Sequence, residues 1–148
     1  MCYFIYLSTD ADTDLTVHNS PLVTFDRNLE HGGKAPLGLL QFAHKWYVGS
    51  ASGCSCSFRQ VSSTDMGFHV PQDWCPKDPD DIEATRQFYN AVAELIGRGK
   101  QVDCMSWWVD TPADKIVSMN VDVAAVSKET FLFLENHHYV FCDSRKLT

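Results

Sequence analysis

Residues 78–100 read DPDDIEATRQFYNAVAELIGRGK and contain the clearest secondary-structure signal in the chain. Asp78 is a typical N-cap residue, Pro79 suits the first helical position, and the two aspartates that follow lie at the positive end of the helix dipole. Apolar side chains then recur three or four residues apart, the spacing that places them on one face of a helix. Glycines after the last of them favour a helix end. The segment predicts an amphipathic helix over about residues 79–96.

Runs of apolar and β-branched residues on both sides of this helix predict strands. The first run, residues 2–8, is apolar in both alternating sets of positions and therefore predicts a central strand. Further strands are predicted at residues 22–25, 45–49, 101–109 and 116–123. Several strands around one long helix indicate an α+β fold, in which a mainly antiparallel sheet carries the helix on one face.

The last two apolar runs, residues 131–134 and 139–142, are separated by a short polar segment. This arrangement predicts a hairpin between them. The connecting segment contains His137 and His138, for which we expect one exposed and one half-packed side chain.

The chain length and composition indicate an ordinary globular domain. The chain has 148 residues, of which 45% are hydrophobic and 12% aromatic. Such a composition excludes intrinsically disordered, collagen-like and coiled-coil proteins. No repeat, low-complexity tract or long linker interrupts it, so we expect a single α+β domain over residues 1–148.

The charge distribution limits the classes of partner. The formal net charge is −7 and the basic residues are scattered, whereas a nucleic-acid-binding surface needs a local cationic excess. No apolar run approaches the roughly 20 residues of a membrane span, and the first residues lack the basic region of a secretion signal. We therefore expect a cytoplasmic protein without nucleic-acid or membrane partners, which leaves a small ligand or another protein.

The candidate functional segment is residues 53–59, GCSCSFR. Its first five residues complete a stretch of eight small residues over 50–57. In a reducing compartment, cysteines are free, metal-bound or reactive rather than joined in a disulfide framework. Cys54 and Cys56 are two residues apart, so their sulfurs meet only if the backbone kinks, and Gly53 favours such a kink.

If the two sulfurs meet, the first hypothesis is a metal site. Zinc is bound by four thiolate or imidazole ligands, and one intervening residue between Cys54 and Cys56 is tight but feasible. The remaining ligands would come from other cysteines or from histidines that flank the segment. The candidates are Cys75, His44 and His69, with Cys2 and Cys104 as further sources of sulfur.

A second hypothesis is a thiol-dependent enzyme, redox or nucleophilic, in which Cys54 or Cys56 reacts. Arg59 and the small-residue turn would then lower the pKa of the thiol, and Arg59 would orient an anionic ligand. A third hypothesis is a structural or protein-interaction domain with inert cysteines, since free cysteine is commonly a small core residue. We expect Cys2, Cys104 and Cys142, which lie in apolar runs, to be core residues.

The segment also resembles that of a known group of proteins. Residues 45–50, the GCSCSFR segment, the single amphipathic helix, residues 121–123 and residues 131–135 resemble a family of small uncharacterised bacterial proteins with a Gly-Cys-x-Cys-x-Phe segment. The resemblance extends over much of the chain and implies a cytoplasmic single-domain protein. It implies no particular activity.

Overall fold

The structure is a computed structural model that describes residues 2–61, 68 and 78–146. Within these ranges the long helix is α1 (Pro79–Gly97), and the strands in chain order are β1 (Tyr3–Thr9), β2 (Val23–Asp26), β3 (His44–Ser50), β4 (Gln60–Val61), β5 (Val102–Trp108), β6 (Val117–Asp122), β7 (Phe133–Leu134) and β8 (His137–Cys142). Short 3-10 helices lie at Leu15–His18, Leu29–Gly32, Leu37–Leu39, Ala113–Lys115 and Ser144–Lys146.

Six of the described strands form one sheet in the order β2-β3-β1-β5-β8-β6. Neighbouring strands are antiparallel except for β6, which runs parallel to β8 at one edge. β1 pairs with β3 on one side and β5 on the other, which confirms the predicted central strand. The predicted α+β architecture, a mainly antiparallel sheet with one long helix on one face, is also confirmed.

Helix α1 begins and ends close to the predicted positions. The Asp78 carboxylate accepts a hydrogen bond from the Asp80 N–H at 2.8 Å, so it is the N-cap, and Gly99 adopts a φ of 81° just beyond the helix. The apolar face, which includes Phe88 and Val92, is buried against the sheet. Among the described residues no helix combines the length and hydrophobicity that a membrane span requires.

The two faces of the sheet have different cores. The face under α1 carries the larger cluster, in which Ile5, Trp46 and Phe131 are fully buried. The opposite face carries a smaller cluster around Tyr6 and Met105, covered by side chains from the segment between β2 and β3. Side chains alternate between faces along a strand, so this division separates neighbouring residues of β1 and of β5.

The predicted hairpin at 131–142 is not present. β7 pairs in parallel with β4 in a separate two-stranded sheet, while β8 joins the large sheet. Asn136, at a φ of 56°, turns the chain between them, and its side chain accepts a hydrogen bond from the Trp108 N–H at 2.8 Å. His137 and His138 therefore belong to β8 rather than to a turn, and both are buried, because pairing with β5 takes precedence over the local hairpin.

Candidate metal centre

The candidate site begins where β3 ends, at the turn after Ser50. The Gly53 N–H donates to the Ser50 carbonyl at 3.0 Å, and the Ser50 N–H donates to the Cys54 carbonyl at 2.8 Å, so the chain reverses direction here. Gly53 has a φ of 89°, which glycine adopts without steric penalty from a Cβ atom. The predicted kink at Gly53 is therefore present.

Ser55 fastens this turn to the sheet and is fully buried. Its N–H donates to the Tyr3 carbonyl at 3.1 Å. Its Oγ accepts from the Ile5 N–H at 2.9 Å and donates to the Val48 carbonyl at 2.5 Å, which links β1 to β3. A serine is small enough to lie between the two strands, which is the close backbone approach that the small-residue stretch predicts. Cys54 and Cys56, on either side of it, are left half-buried and exposed respectively.

The turn brings three sulfur atoms together. The Sγ atoms of Cys2, Cys54 and Cys56 all lie within 4.8 Å of one another. Cys2 directly precedes β1, and the N–H of the next residue, Tyr3, donates to the Cys56 Sγ at 3.4 Å. In a tetrahedral zinc site with Zn–S bonds of about 2.3 Å, the sulfurs are about 3.8 Å apart. The three cysteines therefore form a group that a metal ion can close by a movement of about 1 Å.

The thiols of Cys54 and Cys56 have pKa values that are shifted in opposite directions. Burial opposes ionisation of Cys54, but hydrogen bonds from the Ser52 hydroxyl and from Cys56 outweigh it and lower the pKa of the Cys54 thiol to about 7. Partial desolvation in the turn, together with the hydrogen bond to Cys54, raises the pKa of Cys56 to about 12. Ionisation is thus favoured at Cys54 and opposed at Cys56. A bound metal ion would remove this opposition, because a metal ion deprotonates the thiols that bind it.

Tyr3, the residue after Cys2, connects the site to an aromatic and an acidic side chain. The Tyr3 ring packs edge-on against Trp108 with ring centroids 4.7 Å apart, and its hydroxyl donates to the Glu135 carboxylate at 2.9 Å. Burial and this hydrogen bond raise the pKa of Tyr3 to about 12. Tyr3 is therefore a neutral donor to Glu135 beside the cysteine group.

The structure does not bring all the predicted site residues to this group. His44 starts β3 while the turn follows its end, so at about 3.3 Å per residue the strand holds His44 about 20 Å from Ser50. The Arg59 guanidinium donates to the carbonyls of Glu129 and Phe131 at 3.4 Å. These hydrogen bonds link residues 129–131 to the chain that follows the turn. Arg59 as a ligand for an anion stays a prediction. His69 and Cys75 lie outside the described residues.

Sequence analysis named Cys2 as a further source of sulfur but expected it to be a core residue. It is instead half-buried, and its Sγ lies close to those of the two cysteines of the turn. The apolar residues that follow it in β1 indicated a core residue, whereas its position directly before the strand is the signal for a different environment. Cys104 is fully buried, as expected, whereas Cys142 is half-buried and its Sγ donates to the Val121 carbonyl at 3.6 Å.

Comparison with known proteins adds no further constraint on this site. No family model, no curated protein and no solved structure matches this chain. The cysteine group is therefore interpreted from its own chemistry.

Proposed function

We propose that this protein binds a zinc ion through Cys2, Cys54 and Cys56. The observation that carries the proposal is the approach of the three sulfurs to within 4.8 Å of one another. Two of them come from one turn and the third comes from the residue directly before β1, so the fold itself assembles the group. Ser55 supports this assignment, because it fixes the turn against β1 and leaves the flanking cysteines side by side.

The donor set favours zinc over the common hard cations. Thiolates are soft ligands that select zinc, copper(I) or iron–sulfur clusters, while magnesium and calcium prefer oxygen. Three thiolates also carry a charge that a divalent cation largely neutralises. A tetrahedral zinc ion held by three sulfurs keeps one position for a fourth ligand. That ligand is a water molecule, a small molecule, or a side chain such as Cys75 or His69.

The first experiment is elemental analysis of the untagged protein, purified without chelator. We expect about one zinc ion per chain in the wild type. Serine replacement of Cys2, Cys54 or Cys56 should remove most of the metal, because each variant loses one of three sulfurs. Cys142→Ser is the matched control, since Cys142 is also half-buried but is hydrogen-bonded elsewhere. It should retain the full zinc content.

Zinc should also stabilise the fold. At a free zinc concentration 100 times the Kd, binding to the folded state alone adds about 2.7 kcal/mol to the free energy of unfolding. A wild-type protein that contains no metal and unfolds at the same urea concentration with and without zinc would contradict the proposal. If that protein also has one rapidly alkylated thiol among the three, the cysteines act as a reactive thiol group instead. If all three react slowly, they are inert.

A further inference from the structure

A row of polar side chains crosses four strands on the face of the sheet opposite α1. Its members are Ser8 of β1, Asp103 of β5, His138 of β8 and Ser118 of β6, and the register places Ser8 opposite Asp103 and Ser118 opposite His138. The first three are at most 3% exposed, whereas Ser118 is exposed. The row therefore connects a buried carboxylate to a hydroxyl at the surface.

Asp103 is the residue of this row that several hydrogen-bond donors hold in place. Its carboxylate accepts hydrogen bonds from the Ser8 hydroxyl, from the Gln41 N–H at 2.9 Å and from His138 Nε2 at 2.7 Å. The Ser8 Oγ accepts in turn from the Phe42 N–H at 3.1 Å. Burial of a carboxylate is costly unless donors surround it, and here three donors hold it in one orientation.

The carboxylate determines the tautomer of His138. An ionised carboxylate only accepts hydrogen bonds, so His138 Nε2 carries the proton that it donates to Asp103. In the neutral ring Nδ1 is then the acceptor, and it lies 3.0 Å from the Ser118 Oγ. The Ser118 hydroxyl donates to this nitrogen. His138 is thus oriented by a buried acid and placed to accept a proton from an exposed serine.

Main-chain donors lie beside the exposed hydroxyl. The Val117 N–H donates to the carbonyl of Asn136, directly before β8, at 3.1 Å, and the Val123 N–H donates to that of Cys142 in β8 at 2.8 Å. Because alternate residues of a strand direct their N–H groups to opposite sides, those of Ser118 and Asn120 are directed to the outer edge of β6, where the sheet order has no further described strand. Such N–H groups are suitable donors to an oxyanion.

We propose that Ser118 and His138 are catalytic residues of a serine esterase site that Asp103 positions. The Ser118 Oγ attacks the carbonyl carbon of a carboxylic ester while its proton moves to His138 Nδ1. The bond to the alcohol oxygen then breaks, and the alcohol leaves with that proton. Water attacks the acyl-serine by the same route, which releases the acid and restores Ser118. In serine proteases Nε2 of the histidine faces the serine and Nδ1 faces the aspartate. Here Nδ1 faces Ser118 and Nε2 faces Asp103, but the roles of the three residues are the same.

This site is separate from the cysteine group. β6 lies three strands from β1 in the sheet, a distance of about 14 Å. The esterase proposal is therefore independent of zinc binding, and Cys56→Ser should leave it unchanged.

The test is covalent labelling of the full chain with a fluorophosphonate, which transfers its phosphonyl group to an activated serine and releases fluoride. Mass spectrometry of the digested protein locates the adduct. We expect the adduct on Ser118, its absence in Ser118→Ala, and unchanged labelling in Ser127→Ala, which removes another exposed serine. His138→Gln should slow labelling about 100-fold or more, as loss of a general base does. An unlabelled Ser118, or one labelled no faster than Ser127, would overturn the proposal.

A second variant tests the geometry without disturbing the buried residues. In Ser118→Cys the new thiol lies beside His138, so alkylation at neutral pH should be about tenfold faster than in Ser127→Cys. If residue 118 did not face His138 Nδ1, the two variants would react at equal rates. Equal rates would therefore also overturn the proposal.

Discussion

Ser55→Ala is the substitution whose effect follows most directly from the structure. The Ser55 hydroxyl satisfies two main-chain groups between β1 and β3, the Ile5 N–H and the Val48 carbonyl. Alanine fits the same space but leaves both groups without this partner in the interior. Each buried group left unsatisfied costs about 1–3 kcal/mol. Movement of the two strands toward each other after the substitution recovers part of this free energy. We expect a loss of about 3 kcal/mol in the free energy of unfolding.

Urea denaturation followed by tryptophan fluorescence measures this loss. Chelator should be present throughout, so that a change in metal affinity does not contribute. The matched control is Ser57→Ala in the same turn, because the Ser57 Oγ donates only to the Ser52 Oγ at the surface, at 3.1 Å. The control should change the free energy of unfolding by less than about 0.5 kcal/mol. Equal stability of Ser55→Ala and the control would refute the view that Ser55 holds the turn on the sheet.

Two further predictions concern the backbone of the turn and the response to alkali. Gly53→Ala should cost about 1–2 kcal/mol in urea denaturation, because φ is 89° there although a Cβ atom meets nothing within 4 Å. Gly38→Ala, also in open space but without a positive φ, should leave the free energy of unfolding unchanged. An equal loss of stability in the two variants would argue against backbone strain at Gly53. Burial raises the pKa of every tyrosine, and for Tyr3 and Tyr47 it raises the pKa to about 12. The phenols of the folded protein therefore stay neutral near pH 10, where tyrosines of the unfolded chain ionise. Their contribution to stability is complete below about pH 10 and is lost as the pH rises through the raised values. Ultraviolet absorbance of tyrosinate should therefore show little ionisation at pH 10 before unfolding, and a full step there would contradict the burial.

The parts of the fold that depend on local sequence were predictable. Helix α1 has its N-cap, first-turn proline and terminal glycine within its own segment, and its bounds differ from the prediction by one residue. β1 was predictable as a central strand because both of its faces are apolar, and the structure places it between β3 and β5. These signals need no knowledge of the rest of the chain.

The pairing of the last strands was not predictable from local signals. A short polar connection between two apolar runs favours a hairpin, yet β7 joins β4 and β8 joins β5. The choice depends on burial against strands that are distant in sequence, which a local pattern does not contain. The buried positions of His137 and His138 follow from that pairing.

The candidate sites show the same division. The sequence alone indicated that Gly53 favours a kink among small residues, which would bring Cys54 near Cys56, because glycine and serine permit that local geometry. Only the tertiary structure selected Cys2 among the possible further sulfur ligands, since Ser55 hydrogen-bonds the turn to β1.

The polar row on the sheet face opposite α1 also depends on the tertiary structure, because its hydrogen bonds join residues 20 and 35 positions apart in the chain. Local sequence determines backbone conformation through φ, ψ preferences and capping. Contacts between distant side chains depend on sheet order and register, and these are set by the burial of the whole apolar surface.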